Sequence, residues 1–174
     1  LGASTEEAQA KVAEAIARQI AAFFQEGKIQ YAVNLSVTLT REMEPFAEMS
    51  KTLGRLLAQL TPKPPQRLTC TALGRLAADD TRALSVFALQ GILASCTDQP
   101  LNLVNAPVVA EQRGIAITEQ KSLDSRDYAS LVRLTVETGE TSHTAAGTVF
   151  EGREPRIVEI DGFTVDLKPE GFML

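Results

Sequence analysis

Apolar residues recur at helical spacing in two stretches near the start of the chain. In the first stretch an apolar residue occurs at every fourth position after the capping pair Ser4 and Glu7. This spacing predicts a long helix over 5–26. Strict alternation of apolar and polar residues over 28–40 then predicts a strand or an extended arm. A second helix is predicted over 44–60, with Pro45 in its first turn, where a missing N–H costs nothing. One face of this helix is apolar and carries Phe46, Met49, Leu53, Leu56, Leu57 and Leu60.

A proline-rich stretch interrupts the pattern directly after the second helix. Pro62, Pro64 and Pro65 fall within four positions, so the stretch ends the helix and stiffens the chain that follows. We therefore expect a domain boundary at 61–65.

Beyond the prolines, short strand-like runs surround two further helices. Asp80 or Thr81 can cap the first of these helices, and Asp161-Gly162 is a strong signal for a two-residue hairpin turn. A short helix is predicted over 103–112, and strands are predicted over 68–76, 115–121, 128–138, 141–151, 156–160 and 163–167. The pattern predicts an α+β fold: an antiparallel or mixed sheet with helices packed on one face, preceded by the long N-terminal helix.

Composition narrows the classes of protein that this chain can be. Its 174 residues are 44% apolar, which is enough for a core, and the formal charge of −5 argues against nucleic-acid binding. No uninterrupted run of apolar residues approaches the roughly 20 residues that a membrane span needs. Two cysteines do not make a disulfide framework and fit a reduced, cytoplasmic setting. Because residue 1 is Leu and nothing resembles a signal peptide, we expect a piece of a longer chain.

Catalytic and metal-binding patterns are absent from the sequence. There is no Gly-x-Gly-x-x-Gly and no Walker loop to hold a nucleotide phosphate. His143 is the one histidine and has no partner at metal-ligand spacing, so we interpret it as an ordinary strand residue. Cys70 and Cys96 are interpreted as buried structural thiols.

Three cations near the predicted hairpins are the candidate binding residues. Lys121 ends one predicted strand, Arg126 lies in the following loop, and Arg133 lies inside the next strand. If a hairpin joins the two strands, Lys121 lies near the start of the second strand, and Arg133 faces either the same surface or the opposite one. Two or three cations that converge on a sheet edge could bind a phosphate or carboxylate by charge-assisted hydrogen bonds. The alternative is a solvated charged face in which Arg126 pairs with Asp124 or Asp127.

Several short strings along the chain resemble one enzyme family. The chain is similar, nearly throughout and in order, to bacterial-type D-3-phosphoglycerate dehydrogenases, from the segment that follows their catalytic histidine onward. The matching strings are Leu1–Gln9, Asn102–Pro107, Glu111–Gly114, Glu119–Ser122, Ala146–Phe150 and Ile157–Phe163.

The resemblance implies an organisation and a role. Residues 1–27 would be the last helix of the dehydrogenase core, and 66–174 the intervening, or allosteric substrate-binding, domain. Residues 28–65 would be an arm, helix and Pro-rich linker that leads into the intervening domain or is part of it. The NAD-binding core and the serine-binding ACT domain would lie outside this chain, which would itself hold no cofactor and catalyse nothing. The parent would be a homo-oligomeric, NAD-dependent enzyme of L-serine biosynthesis.

The resemblance also implies a role for two of the three cations. Lys121 and Arg133 match basic residues that hold phosphate or a substrate-like anion in some family members, and Arg126 is a looser candidate. The alternative is a structural spacer that contributes subunit contacts and binds no ligand.

Overall fold

A computed structural model describes residues 9, 11–18, 21, 39–94, 96–97, 100–125 and 127–170. The chain divides into two compact units, Leu1–Leu35 and Ser36–Leu174. In the first unit the described residues are helical, but much of the predicted 5–26 helix lies outside the described residues, so the long N-terminal helix stays a prediction. The predicted arm over 28–40 also lies outside them, apart from residues 39 and 40.

The second unit contains three helices and six strands among its described residues. The helices are α1 (Glu44–Leu60), α2 (Arg82–Leu93) and α3 (Asn105–Gln112), and a 3-10 turn covers Arg75–Ala78. The strands are β1 (Arg67–Gly74), β2 (Ala116–Ser122), β3 (Ser130–Glu137), β4 (Ser142–Phe150), β5 (Glu154–Ile160) and β6 (Phe163–Leu167). None of the described helices combines the length and the apolar character needed to cross a membrane.

The strands form one mixed sheet in the order β2-β1-β3-β4-β5-β6. Strand β2 runs parallel to β1, and every other neighbouring pair is antiparallel. The segment from β3 to β6 is a meander of hairpins, and the last hairpin turns at Asp161-Gly162, where both residues have positive φ. The prediction of an α+β fold is confirmed, and the sheet is the mixed alternative.

Helices α1 and α2 pack against each other and cover one face of the sheet. Alternation along the strands sends every second side chain into this core, as in the β1 series Leu68, Cys70 and Ala72. The apolar face predicted for α1 is confirmed, because Leu53 and Leu57 are fully buried and Phe46 and Met49 nearly so, whereas Leu60 is 36% exposed.

The two helices approach closely at a pair of glycines. A Cβ atom built on Gly54 would lie 2.4 Å from the backbone oxygen of Ala88, and one built on Gly91 would lie 2.1 Å from the backbone oxygen of Lys51. Glycine at both positions therefore allows the two helix backbones to lie closer together than any larger residue would permit.

The proline-rich stretch lies inside one compact unit rather than between two. It joins α1 to β1, and α1 packs on α2 and on β4 within the unit that begins at Ser36. The domain boundary expected at 61–65 is therefore corrected: prolines stop a helix and stiffen a connection, but the apolar face of α1 completes the core of the sheet that follows.

Candidate functional site

The structure places Lys121 and Arg133 on opposite faces of the sheet. The hairpin on which the predicted convergence of the cations depended does not form, because β1 lies between β2 and β3. Lys121 aligns with Ala72, whose side chain enters the core under the helices, whereas Arg133 aligns with Thr71. Neighbouring positions on a strand point to opposite faces, so this offset of one residue separates the two cations. The shared site expected from the sequence is not formed, and the ligand-binding role of each cation stays a prediction.

Lys121 lies on the helical face, at the N-terminal end of α2. Its Nζ atom donates a hydrogen bond to the backbone oxygen of Asp79. Hydrogen bonds from the Arg82 guanidinium hold the pKa of the neighbouring Asp80 at about 2, and the charge of Lys121 adds to that lowering. The surroundings of Lys121 therefore already contain an acceptor and a carboxylate that stays ionised.

Arg133 lies on the opposite face, called here the open face because α1 and α2 pack on the other side. Its guanidinium Nη2 donates to Glu159 Oε2 over 2.8 Å, and both side chains are about one-third exposed or less. The Nε atom of Arg133 is buried without a hydrogen-bond partner among the described residues. One N–H of this cation is therefore unsatisfied, while its charge is already paired with a carboxylate.

The open-face cavity beside Arg133 has a volume of about 290 Å³. Three carboxylates, those of Asp124, Asp127 and Glu159, line it together with the Arg133 guanidinium. Its other lining residues are Leu73, Ser122, Ser125, Tyr128, Leu131, Val158 and Thr164. Counted over the described lining residues, the formal charge is negative, which opposes the binding of an anion. Arg126, the third cation predicted from the sequence, lies outside the described residues.

Comparison with known proteins agrees with the resemblance seen in the sequence. Residues 42–161 match the profile of the D-3-phosphoglycerate dehydrogenase intervening domain. The chain belongs to that family. It is 34% identical to a D-3-phosphoglycerate dehydrogenase of Synechocystis sp. and 30% identical to one of Bacillus subtilis, over its whole length in both cases. It is 32% identical to one of Archaeoglobus fulgidus over 98% of its length. The chain spans about a third of the length of these relatives, at 32–34% of each.

The histidine of this intervening domain joins two neighbouring hairpins. His143 Nδ1 lies 2.9 Å from Asp161 Oδ2, and Asp161 Oδ1 accepts a hydrogen bond from the backbone N–H of Thr144 over 2.7 Å. Burial acts to raise the pKa of Asp161, but the hydrogen bonds from His143 and Thr144 outweigh it and hold that pKa below its usual value. Asp161 also occupies the β5–β6 turn, so the pair stabilises the sheet where its strands reverse direction.

Neither a metal-ligand cluster nor a buried reactive thiol occurs among the residues that the structure describes. No cluster of three or more metal-ligating side chains occurs there. Cys70 is buried under the helices, and burial raises the pKa of its thiol to about 12. Cys70 is therefore a core residue of the intervening domain, in agreement with its interpretation as a buried structural thiol. Cys96 is exposed, so that interpretation is wrong for Cys96.

A second cavity contains cations that the sequence pattern did not single out. This linker cavity of about 320 Å³ lies beside the proline-rich stretch, and Lys63 and Arg113 line it. Its other lining residues are Ala58, Thr61, Pro62, Pro64, Pro65, Ile92, Leu93, Cys96, Ile115 and Val136. The two cations are 50 positions apart in the sequence, and only the packing of the linker against the ends of α2 and α3 brings them to one cavity.

Proposed function

We propose that this chain is the non-catalytic intervening domain of a D-3-phosphoglycerate dehydrogenase. The observation that carries the proposal is the family match over residues 42–161, together with relatives of that name along the whole chain. The parent would oxidise 3-phosphoglycerate to 3-phosphohydroxypyruvate with NAD in the cytoplasm, as a step toward L-serine. Residues 1–27 would belong to the last helix of its dehydrogenase core.

An assay of NADH formation tests the parent function. A longer protein that carries this chain should reduce NAD when 3-phosphoglycerate is added, and the 174-residue chain alone should not. Equal activity of the isolated chain would contradict its assignment as a non-catalytic domain. A longer protein that leaves 3-phosphoglycerate unchanged would contradict the assignment of the parent.

Within the parent, we propose that the domain regulates the enzyme by binding an anion at Arg133. The unsatisfied Nε of this half-buried guanidinium and the cavity beside it support the proposal. An anion there would take the place of the Glu159 carboxylate, with which Arg133 now pairs. Lys121 would be a separate contact on the helical face rather than part of the same site.

Calorimetric titration with phosphate and with 3-phosphoglycerate tests this regulatory role. Arg133→Gln should abolish the heat of binding, whereas Lys121→Gln should retain it, because the two cations lie on opposite faces. The exposed Arg75 offers a matched control, and Arg75→Gln should bind as the unchanged chain does. If Arg133→Gln binds phosphate with unchanged affinity, the anion proposal is wrong.

A structural role in assembly is the second candidate, and the open-face cavity favours it. Its carboxylates outnumber its one guanidinium, so the described arrangement repels an anion. The apolar cluster of the open face is itself buried, but Phe150 beside it is 46% exposed and contacts Tyr128, so subunits or other domains of the same enzyme could pack there. A chain that gives no heat with either anion but self-associates in light scattering would favour assembly. A monomer that binds phosphate through Arg133 would favour regulation.

A further inference from the structure

The linker cavity combines apolar walls with positive charge. Ile92, Leu93 and Val136 are 1–2% exposed and form part of its wall, and Ile115 is 6% exposed. Two cations and no carboxylates occur among the described residues that line it. This composition is the reverse of the open-face cavity, where carboxylates predominate. In a chain with a formal charge of −5, the linker cavity is therefore a cavity whose described lining favours an anion.

The two cations differ in how they are held. Arg113 Nη2 donates to the backbone oxygen of Cys96 over 2.6 Å, which fixes the guanidinium without neutralising its charge. A guanidinium has five N–H donors, so a carboxylate can bind to the others. Lys63 Nζ pairs with Glu140 Oε2 over 2.5 Å, and Glu140 is outside the cavity lining and exposed. Arg113 is thus the positioned cation, and Lys63 is a second cation with a flexible stem.

Thr61 provides a further indication of a bound polar group. It follows α1 directly, is 8% exposed, and lines the cavity. Its side-chain oxygen has no hydrogen-bond partner among the described residues. Buried hydroxyl groups normally have a partner, and an occupant with an oxygen atom at this wall would supply one.

We propose that the linker cavity binds a small organic carboxylate with an apolar chain. The carboxylate contacts the guanidinium of Arg113 and the ammonium of Lys63, and the chain lies against Ile92, Leu93 and Val136. The volume of about 320 Å³ is that of about ten water molecules at about 30 Å³ each. It is at the lower end of small-molecule sites, so a carboxylate with a short aliphatic chain fits better than a nucleotide.

Titration of the 174-residue chain with hexanoate, followed by the NMR shifts of methyl groups, tests the proposal. We expect saturable shifts at the Ile92, Leu93 and Val136 methyls. Acetate, which lacks the apolar chain, and hexan-1-ol, which lacks the charge, should each bind at least about tenfold more weakly. Arg113→Gln should also weaken hexanoate binding at least about tenfold, whereas the matched control Arg75→Gln should leave it unchanged.

A second variant tests the apolar part of the site. Ala58 is a half-buried helical residue on the cavity wall, so Ala58→Leu should fill part of the cavity and abolish hexanoate binding. Thermal unfolding of each variant shows whether it is folded. If Arg113→Gln does not fold, Lys63→Gln gives the test of charge, with a smaller expected loss. Non-saturable shifts, shifts outside the linker cavity, equal binding of hexan-1-ol, or full binding by a folded Ala58→Leu would each overturn the proposal.

Discussion

The close approach of α1 and α2 makes Gly91 a position where one added methyl group should destabilise the domain. Gly91→Ala would place a Cβ atom 2.1 Å from the backbone oxygen of Lys51 and 2.9 Å from the backbone nitrogen of Arg55. Real Cβ atoms essentially never approach closer than 3.0 Å, so the first contact is 0.9 Å too short. Since both opposing atoms belong to the backbone, no side-chain rotation can relieve the contact, and the helices must separate.

Two opposing effects set the size of the change. Alanine is favoured over glycine inside a helix by about 1 kcal/mol, which would stabilise the variant. Overpacking a core typically costs about 1–3 kcal/mol and occasionally more. If the helices separate by about 0.5–1 Å, each dispersion contact between them loses about a quarter to a half of its energy. The α2 side of this interface is fully buried, so many such contacts are affected. We therefore expect the overpacking cost to exceed its usual range and the net loss to be about 3 kcal/mol.

Chemical denaturation, followed by far-UV circular dichroism, measures this loss, with thermal unfolding as a second readout. For a domain of this size, about 3 kcal/mol corresponds to a fall in Tm of about 6–12 °C. Gly139→Ala is the matched control, because Gly139 lies in a loop where the added Cβ atom comes no closer than 3.4 Å to the end of the Gln66 side chain. The control should change stability by less than about 1 kcal/mol, in the stabilising direction. A Gly91→Ala variant as stable as that control would refute the close-packing argument.

Gly147 tests whether a flexible opposing side chain lowers the cost of an added methyl group. Gly147→Ala would place a Cβ atom 2.5 Å from the Met49 sulfur, which belongs to a flexible side chain. Methionine can adopt another rotamer, so we expect a smaller loss than for Gly91→Ala, about 1–2 kcal/mol in the same denaturation assay. An equal loss for both variants would show that side-chain flexibility does not decide the cost.

Three further predictions concern the core, the thiols and pH. Leu134→Ala removes a fully buried side chain and should lower the free energy of unfolding by about 2–5 kcal/mol in urea denaturation; a loss under 1 kcal/mol would contradict its place in the core. Iodoacetamide should alkylate the exposed Cys96 well before Cys70, because burial raises the pKa of the Cys70 thiol to about 12. Mass spectrometry of the digested protein measures the order of alkylation, and alkylation of Cys70 first would contradict its burial. The lowered pKa of Asp80 stabilises the fold above the unfolded value of 3.8, and this contribution is lost as pH falls toward about 2. Asp80→Asn should therefore flatten the dependence of Tm on pH between about 4 and 2, and an unchanged slope would refute the assignment.

Local patterns predicted most of the elements of this domain. The predicted bounds of α1, 44–60, agree with the structure, because an apolar face at helical spacing and a proline in the first turn are both local signals. The β5–β6 hairpin was also predicted, since Asp-Gly supplies the positive φ that a two-residue turn requires. Each of these predictions depended on residues within one or two turns of the element concerned.

The local pattern did not predict which strands pair when they are distant in the sequence. The sequence allowed a hairpin between the strands that contain Lys121 and Arg133, but β1 inserts between β2 and β3. Because side chains alternate along a strand, the resulting register decides whether Lys121 and Arg133 share a face, and no local pattern contains that information. The cations of the linker cavity, Lys63 and Arg113, were missed for the same reason: tertiary packing brings them together.

The insertion of β1 between β2 and β3 also has a consequence for how the sheet assembles. The hairpins from β3 to β6 join strands that follow one another in sequence, and such hairpins close within microseconds. The parallel pairing of β1 with β2 encloses all of α2 and α3, so its loop must close over a much longer segment. We therefore expect the edge strand β2 to join the sheet after the hairpins during folding and to open before them in the native state. In native-state hydrogen exchange, the amides of β2 should exchange before those of β3 and β4.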